Sequence, residues 1–201
     1  MKKLICLIAL FTAVLSSNAY AGYGTIYISR DHSDLGALAS PGQISDSFES
    51  AINGGVSLKF QIQGYGSLDG ANAYSDVFNL TLNGNTVLSA TWDLGGGGAN
   101  VIYSNPYNAV AKAVSNGSFA GGKVDVFIPV LWLVTGLNTL TFSYSGQAEG
   151  LGNEGWGINQ VYVASIPEPE TYAMLLAGLG LVSFMTRRKA GRLAQLSKLI
   201  E

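Results

Sequence analysis

Cysteine is almost missing from this 201-residue chain: Cys6 stands alone, inside the apolar run that opens the sequence. The chain beyond that run therefore has no disulfide, no thiolate metal site and no cysteine nucleophile. Histidine also occurs once, as His32, which argues against a histidine-built transition-metal centre. It sits in Arg30-Asp31-His32-Ser33-Asp34, the residue types of a hydrolytic triad, but triad members converge from different elements rather than from neighbouring positions. No G-x-S-x-G elbow accompanies them, so the stretch reads as a polar loop. Charge is scarce as well, at 12% of residues. Between residues 22 and 165 four cations (Arg30, Lys59, Lys112, Lys123) face ten acids (Asp31, Asp34, Asp46, Glu49, Asp69, Asp76, Asp93, Asp125, Glu149, Glu154). A phosphate-binding surface needs clustered Lys and Arg, so nucleic acid is not an expected partner. With 26 glycines and so few charges, a helical bundle is a poor fit.

What is present divides the chain into three regions. Met1-Lys2-Lys3, an apolar run from Leu4 to Leu15, and Asn18-Ala19-Tyr20-Ala21 form the n-region, h-region and A-x-A site of a secretory signal peptide. Residues 1–21 are thus expected to be removed by signal peptidase after Ala21, whose short side chain, like that of Ala19, suits the peptidase pocket. Cys6 lies far from that cleavage point, so a lipoprotein signal is not indicated.

At the other end, Pro167-Glu168-Pro169 precedes an apolar stretch from Ala173 to Met185 and then Arg187-Arg188-Lys189. Two prolines cannot lie inside a helix and push the preceding residues to extended conformation, which makes a stiff stalk. A helix over about 172–186 would span about 22 Å at about 1.5 Å per residue, against a hydrocarbon core of about 30 Å. Tyr172 at one interface and the basic cluster at the other can extend that reach. Arg187, Arg188 and Lys189 stay cytoplasmic by the positive-inside rule, which leaves the body outside the inner membrane. Residues 166–189 resemble the PEP-CTERM sorting signal of exported proteins in many Gram-negative bacteria, through Pro167-Glu168-Pro169, the Ala177-Gly178-Leu179-Gly180-Leu181 stretch and the basic cluster. The resemblance implies recognition and cleavage near Pro-Glu-Pro by exosortase, a membrane-embedded cysteine protease-like transpeptidase. Residues 190–201 continue past the usual end of such signals and read as a cytoplasmic tail. The alternative for this end is a plain single-pass anchor.

Residues 22–165 remain as one body, and its apolar residues repeat with period two. Val56, Leu58, Phe60 and Ile62 share a face, as do Phe78, Leu80 and Leu82. Asn83-Gly84 supplies a tight hairpin, and Leu88, Ala90 and Trp92 return along its partner. Val124 to Leu133 is apolar on nearly both faces, as for a strand buried on both sides or crossing between sheets, and Pro129 within it demands an edge or a bulge. Leu140, Phe142 and Tyr144 make another strand. Trp156 and Ile158 are out of phase with Val161 and Val163, which a one-residue bulge near Asn159-Gln160 would repair. Tyr107, Val110, Ala111 and Val114 have helical spacing. The predicted class is mostly β: a single β-sandwich or jelly-roll domain flanked by the signal peptide and a C-terminal transmembrane helix. The Gly136-x-Asn138-x-Leu140 turn and the Gly155-Trp156-Gly157 strand resemble jelly-roll carbohydrate-binding modules of the galactose-binding type.

Candidate chemistry in the body is sparse. Asp69, Asp76, Glu149 and Glu154 fall in Gly- and Asn-rich loops, and hard carboxylate oxygens are what calcium prefers. They read either as ligands of one structural calcium, as jelly-roll modules often hold, or as solvated loop acids; no other cofactor or metal is indicated. Trp92, Trp132 and Trp156 can stack on sugar faces or fill the core, with Trp156, between glycines, the best candidate for exposure and glycan contact. Gly95 to Gly98 lacks the context of a phosphate loop and reads as a flexible loop. No carboxylate pair is singled out for glycoside hydrolysis. The expected protein is exported and non-catalytic, held briefly in the inner membrane, processed by exosortase, and placed at the cell surface or in the extracellular matrix, with exopolysaccharide as a candidate ligand. A permanently anchored carbohydrate-binding protein is the alternative, and a polysaccharide-degrading enzyme the more distant one.

Overall fold

Alternating apolar and polar residues make strands wherever one face can be buried, and eleven such strands occur among the described residues of the computed structural model, which are 25–28, 37–166 and 173–184. In chain order they are β1 (Thr25–Ile28), β2 (Leu38–Ala39), β3 (Gly42–Ser50), β4 (Gly54–Gly64), β5 (Val77–Leu82), β6 (Asn85–Thr91), β7 (Val101–Ser104), β8 (Val110–Ser115), β9 (Gly122–Leu133), β10 (Gly136–Ser145) and β11 (Gly155–Ser165). They form two antiparallel sheets, one ordered β1-β11-β4-β9-β8 with β2 also pairing β11, the other β3-β10-β5-β6-β7. The sheets pack as a sandwich, and the body forms one compact unit over Gly24–Ile166.

The core sits between the sheets and is built from the period-two positions. Val56, Leu58, Phe60 and Ile62 of β4 are buried against Phe78, Leu80 and Leu82 of β5 and Leu140, Phe142 and Tyr144 of β10. Aromatic pairs bridge the layers: Phe60 meets Phe142 edge-on at 5.2 Å between ring centroids, and Tyr144 meets Trp156 edge-on at 5.2 Å. Such edge-to-face pairs add about 0.5–1.5 kcal/mol each beyond their area. The Asn83-Gly84 hairpin joins β5 to β6 with φ of 51° and 80° at its two central residues, the positive values a type I′ turn requires. The expected bulge in β11 is present: its pairing with β4 shifts between Asn159 and Tyr162, and Gln160 takes φ 55°.

Three expectations are corrected. Tyr107 to Val114 is not helical; β8 pairs β9 from Val110↔Phe127 to Ser115↔Gly122. Ala111 and Ala113 pack against the core while Val110 and Val114 face out, so period two operates there, and the open edge of β9 outweighs local helical spacing. Strand β9 is not buried on both faces, since Phe127, Val130 and Trp132 are exposed between buried Val126, Ile128, Leu131 and Leu133. Pro129 does fall where the β4–β9 register shifts, between the Val56↔Leu131 and Leu58↔Ile128 pairs, so its missing N–H costs no ladder bond. Gly95 to Gly98 is a close-packed loop rather than a loose one: a Cβ at Gly96 would lie 2.4 Å from Ser67 O, and one at Gly95 2.4 Å from Gly66 O.

Beyond the body, residues 173–184 form helix α1, twelve residues without a charge. Its large side chains, from Met174 to Phe184, are exposed on every side. No helix among the described residues is long and apolar enough to cross a membrane.

Candidate functional site

Two crossovers between the sheets bring acids together at one end of the sandwich. The β4–β5 connection carries Asp69 and Asp76, and the β10–β11 connection carries Glu154. One carboxylate oxygen from each lies within 4.8 Å of one from each of the others. Asp76 and Glu154 are fully buried and Asp69 is 8% exposed. Glu149, the fourth acid of the sequence-level set, stays at the surface and accepts a hydrogen bond from Asn153 Nδ2.

Local structure explains the convergence. Thr91, fully buried on β6, donates its hydroxyl to the carbonyls of both Asp69 (2.8 Å) and Asp76 (2.7 Å), which closes the base of the β4–β5 loop. Ser67 ties that loop to the next crossover, its amide donating to Asn153 O and its hydroxyl to Asn153 Oδ1. Asp76 accepts from Ser40 Oγ at 2.5 Å and from the Asp69 amide at 2.9 Å. Asp69 Oδ1 accepts from Asn72 Nδ2 at 2.6 Å. Glu154 is served least: among the described residues its Oε2 receives only the Glu149 amide, at 3.4 Å, and its buried Oε1 has no hydrogen-bond partner there. The Tyr144 hydroxyl is buried without one too.

No described lysine reaches this cluster. Lys123 pairs with Asp125 at 3.8 Å, Lys59 stands over the Phe127 ring, and Lys112 lies opposite Asp125 across the β8–β9 ladder. Desolvation by burial therefore acts with mutual repulsion. Glu154 is pushed up to about 7, first by burial and then by the charge of Asp76. Asp76 and Asp69 are raised by burial as well, against the lowering effect of the hydrogen bonds they accept. Burial, and then the Asp76 charge, raises the Tyr144 phenol far above its ordinary range. An all-oxygen, all-carboxyl, partly unpartnered cluster is chemically suited to a hard divalent cation.

The tryptophans are distributed otherwise than expected. Trp156 is fully buried, and its Nε1 donates to Ala39 O at 3.0 Å, so no face of its ring is open to a sugar. Its flanking glycines have a different purpose: Tyr65 packs over them, with its Oη 3.1 Å from where a Gly157 Cβ would stand. Trp132 is instead the open one, at 64% exposure. It lies opposite Gly55 in the β4–β9 ladder, and the missing side chain there leaves the indole uncovered. Along the same face an open depression of about 300 Å³ is lined by Lys59, Gln61, Asp125, Phe127 and Gln160. Outward alternation along β9 was the sequence signal for Trp132.

The remaining sequence-predicted residues, Ala19, Ala21, Pro167, Glu168, Pro169, Arg187, Arg188 and Lys189, lie outside the described residues, as do His32, the rest of the signal peptide and the 190–201 tail. A family model described as the PEP-CTERM protein-sorting motif matches residues 165–189. No curated protein matches the chain. The chain carries a PEP-CTERM sorting motif on a two-sheet β body, and the motif implies an exported protein processed by exosortase.

Proposed function

We propose that this chain is a non-catalytic surface or extracellular-matrix protein, delivered by its C-terminal signal and then binding exopolysaccharide through the outer face of the β4–β9 sheet. The carrying observation is the sorting motif at residues 165–189, which begins on the last residue of β11. The final tie of the body is the hydrogen bond from the Ile166 amide to Gly55 O, and in sequence Pro167-Glu168-Pro169 comes next, without a spacer. Helix α1 is apolar on every side, which suits lipid better than water. Its twelve residues give about 18 Å at about 1.5 Å per residue, and a spanning segment over about 172–186 relies on Tyr172 and the Arg187–Lys189 cluster for the rest.

A non-catalytic reading is supported by the burial of two acids of the convergent cluster. Asp76 and Glu154 have no exposed surface, so a glycosidic oxygen has no route to either. Binding is supported by Trp132, since an exposed indole offers an apolar face on which a sugar ring can stack. Replacing Glu168 by Ala in a host carrying exosortase is expected to leave unprocessed protein, read by intact mass. A mature mass identical to the parent's would overturn the sorting reading, and retention of residues 172–201 on surface protein would favour the permanently anchored alternative. Migration of the released protein in gels cast with the host's matrix polymer tests binding, with Trp132→Ala expected to abolish the retardation.

A further inference from the structure

The buried carboxylates and the missing cysteines meet in one problem. The β4–β5 and β10–β11 crossovers each pass from one sheet to the other, and the body has no cysteine to tie them. At this junction three carboxylates approach within 4.8 Å. Leaving them ionised and unpaired in the interior would cost several kcal/mol per charge. Hydrogen bonds answer part of the demand at Asp69 and Asp76, but Glu154 Oε1 is buried with no partner.

We propose that Asp69, Asp76 and Glu154 bind one calcium ion, which staples the two inter-sheet crossovers in place of a disulfide. The donor set is oxygen only, which selects hard cations over zinc or copper. Calcium accepts six to eight oxygens in irregular geometry, whereas magnesium demands a near-ideal octahedron and keeps most of its water. Three carboxylates supply up to six oxygens, and a water on the ion would also give the Tyr144 hydroxyl the partner it lacks. Two glycines make room around the donors: a Cβ at Gly96 would fall 2.6 Å from Asp69 Oδ2, and one at Gly146 would fall 2.6 Å from Asp76 Oδ1. Calcium sites of extracellular modules have dissociation constants of about 10⁻⁴–10⁻³ M, so the staple would close once the body has left the cytoplasm. The site depends on neither the sorting signal nor Trp132.

Calorimetric titration of the full chain, held in detergent and stripped with a chelator, tests this. One calcium per chain with a dissociation constant of about 10⁻⁴ M is expected, and about 10 mM calcium should raise the thermal midpoint by several degrees. Asp76→Asn and Glu154→Gln should remove both responses, while Glu149→Gln, at the exposed neighbour, should keep them. Terbium, which seeks the same hard oxygens, provides a readout on the unmutated chain: its emission should be sensitised through Tyr144 and Trp156 and lost when calcium is added. Absence of uptake, an undiminished response in Glu154→Gln, or an equal response to magnesium would overturn the assignment.

Discussion

Ser40 Oγ donates a 2.5 Å hydrogen bond to Asp76 Oδ1, linking the corner before β3 to the β4–β5 crossover through two fully or nearly fully buried side chains. Hydrogen bonds to charged groups contribute about 1.5–3 kcal/mol, and removing the donor also leaves the buried acceptor short of a partner. Ser40→Ala is therefore expected to lower the unfolding free energy by about 2 kcal/mol, measured by urea denaturation. An unchanged midpoint would mean that the bond is not formed.

The carboxylate cluster sets a pH dependence whose sign is fixed by its shifts. Glu154 has a folded value of about 7 against an ordinary value of 4.5, so between the two the folded chain holds a proton that the unfolded chain has released. Stability must then fall as pH rises through that window, with the loss complete above it. Asp69 and Asp76 are raised as well and act in the same direction. With a chelator present, the thermal midpoint should be higher near about pH 5 than near about pH 8. A midpoint that rises with pH would contradict this arrangement of charges.

Gly96 is fixed by proximity rather than by φ. A Cβ there would stand 2.4 Å from Ser67 O and 2.6 Å from Asp69 Oδ2, so Gly96→Ala must displace either the backbone or the carboxylate. Overpacking of this kind costs about 1–3 kcal/mol, and a denaturation midpoint lowered to that extent is the expected result. Gly97→Ala meets no such obstacle, although its φ of 90° adds backbone strain of about 1–2 kcal/mol.

Trp156 and Trp132 should separate stability from surface function. Trp156 is fully buried against Tyr144, so Trp156→Ala is expected to cost about 3–5 kcal/mol. Trp132→Ala removes a ring that is 64% exposed and should change stability by no more than about 0.5 kcal/mol. Chemical denaturation of the two variants side by side makes the comparison. A large loss at Trp132 would show that the indole is structural.

Most strands and turns are legible because they are local. Period two in Val56–Ile62 and Phe78–Leu82 needs only a half-buried sheet, Asn83-Gly84 fits the positive φ of its turn, and the phase slip after Ile158 can be repaired only by a bulge. Sequence reasoning fails where a distant partner decides. Tyr107–Val114 has helical spacing, yet the unpaired edge of β9 claims it. Trp156 between glycines reads as exposed, but Tyr65 occupies the space those glycines free.

What the sequence determined by itself is the alternation that makes sheets, the absence of any cysteine tie within the body, and the order of proline, apolar and basic residues that the sorting motif requires, because each depends on residue chemistry at short range. Tertiary structure alone decided that Asp69, Asp76 and Glu154 converge in the interior while Glu149 stays in water, and that Trp132 rather than Trp156 meets the solvent. Burial and convergence depend on which loops the two sheets bring together, and residues 69 and 154 become neighbours only when the sandwich closes.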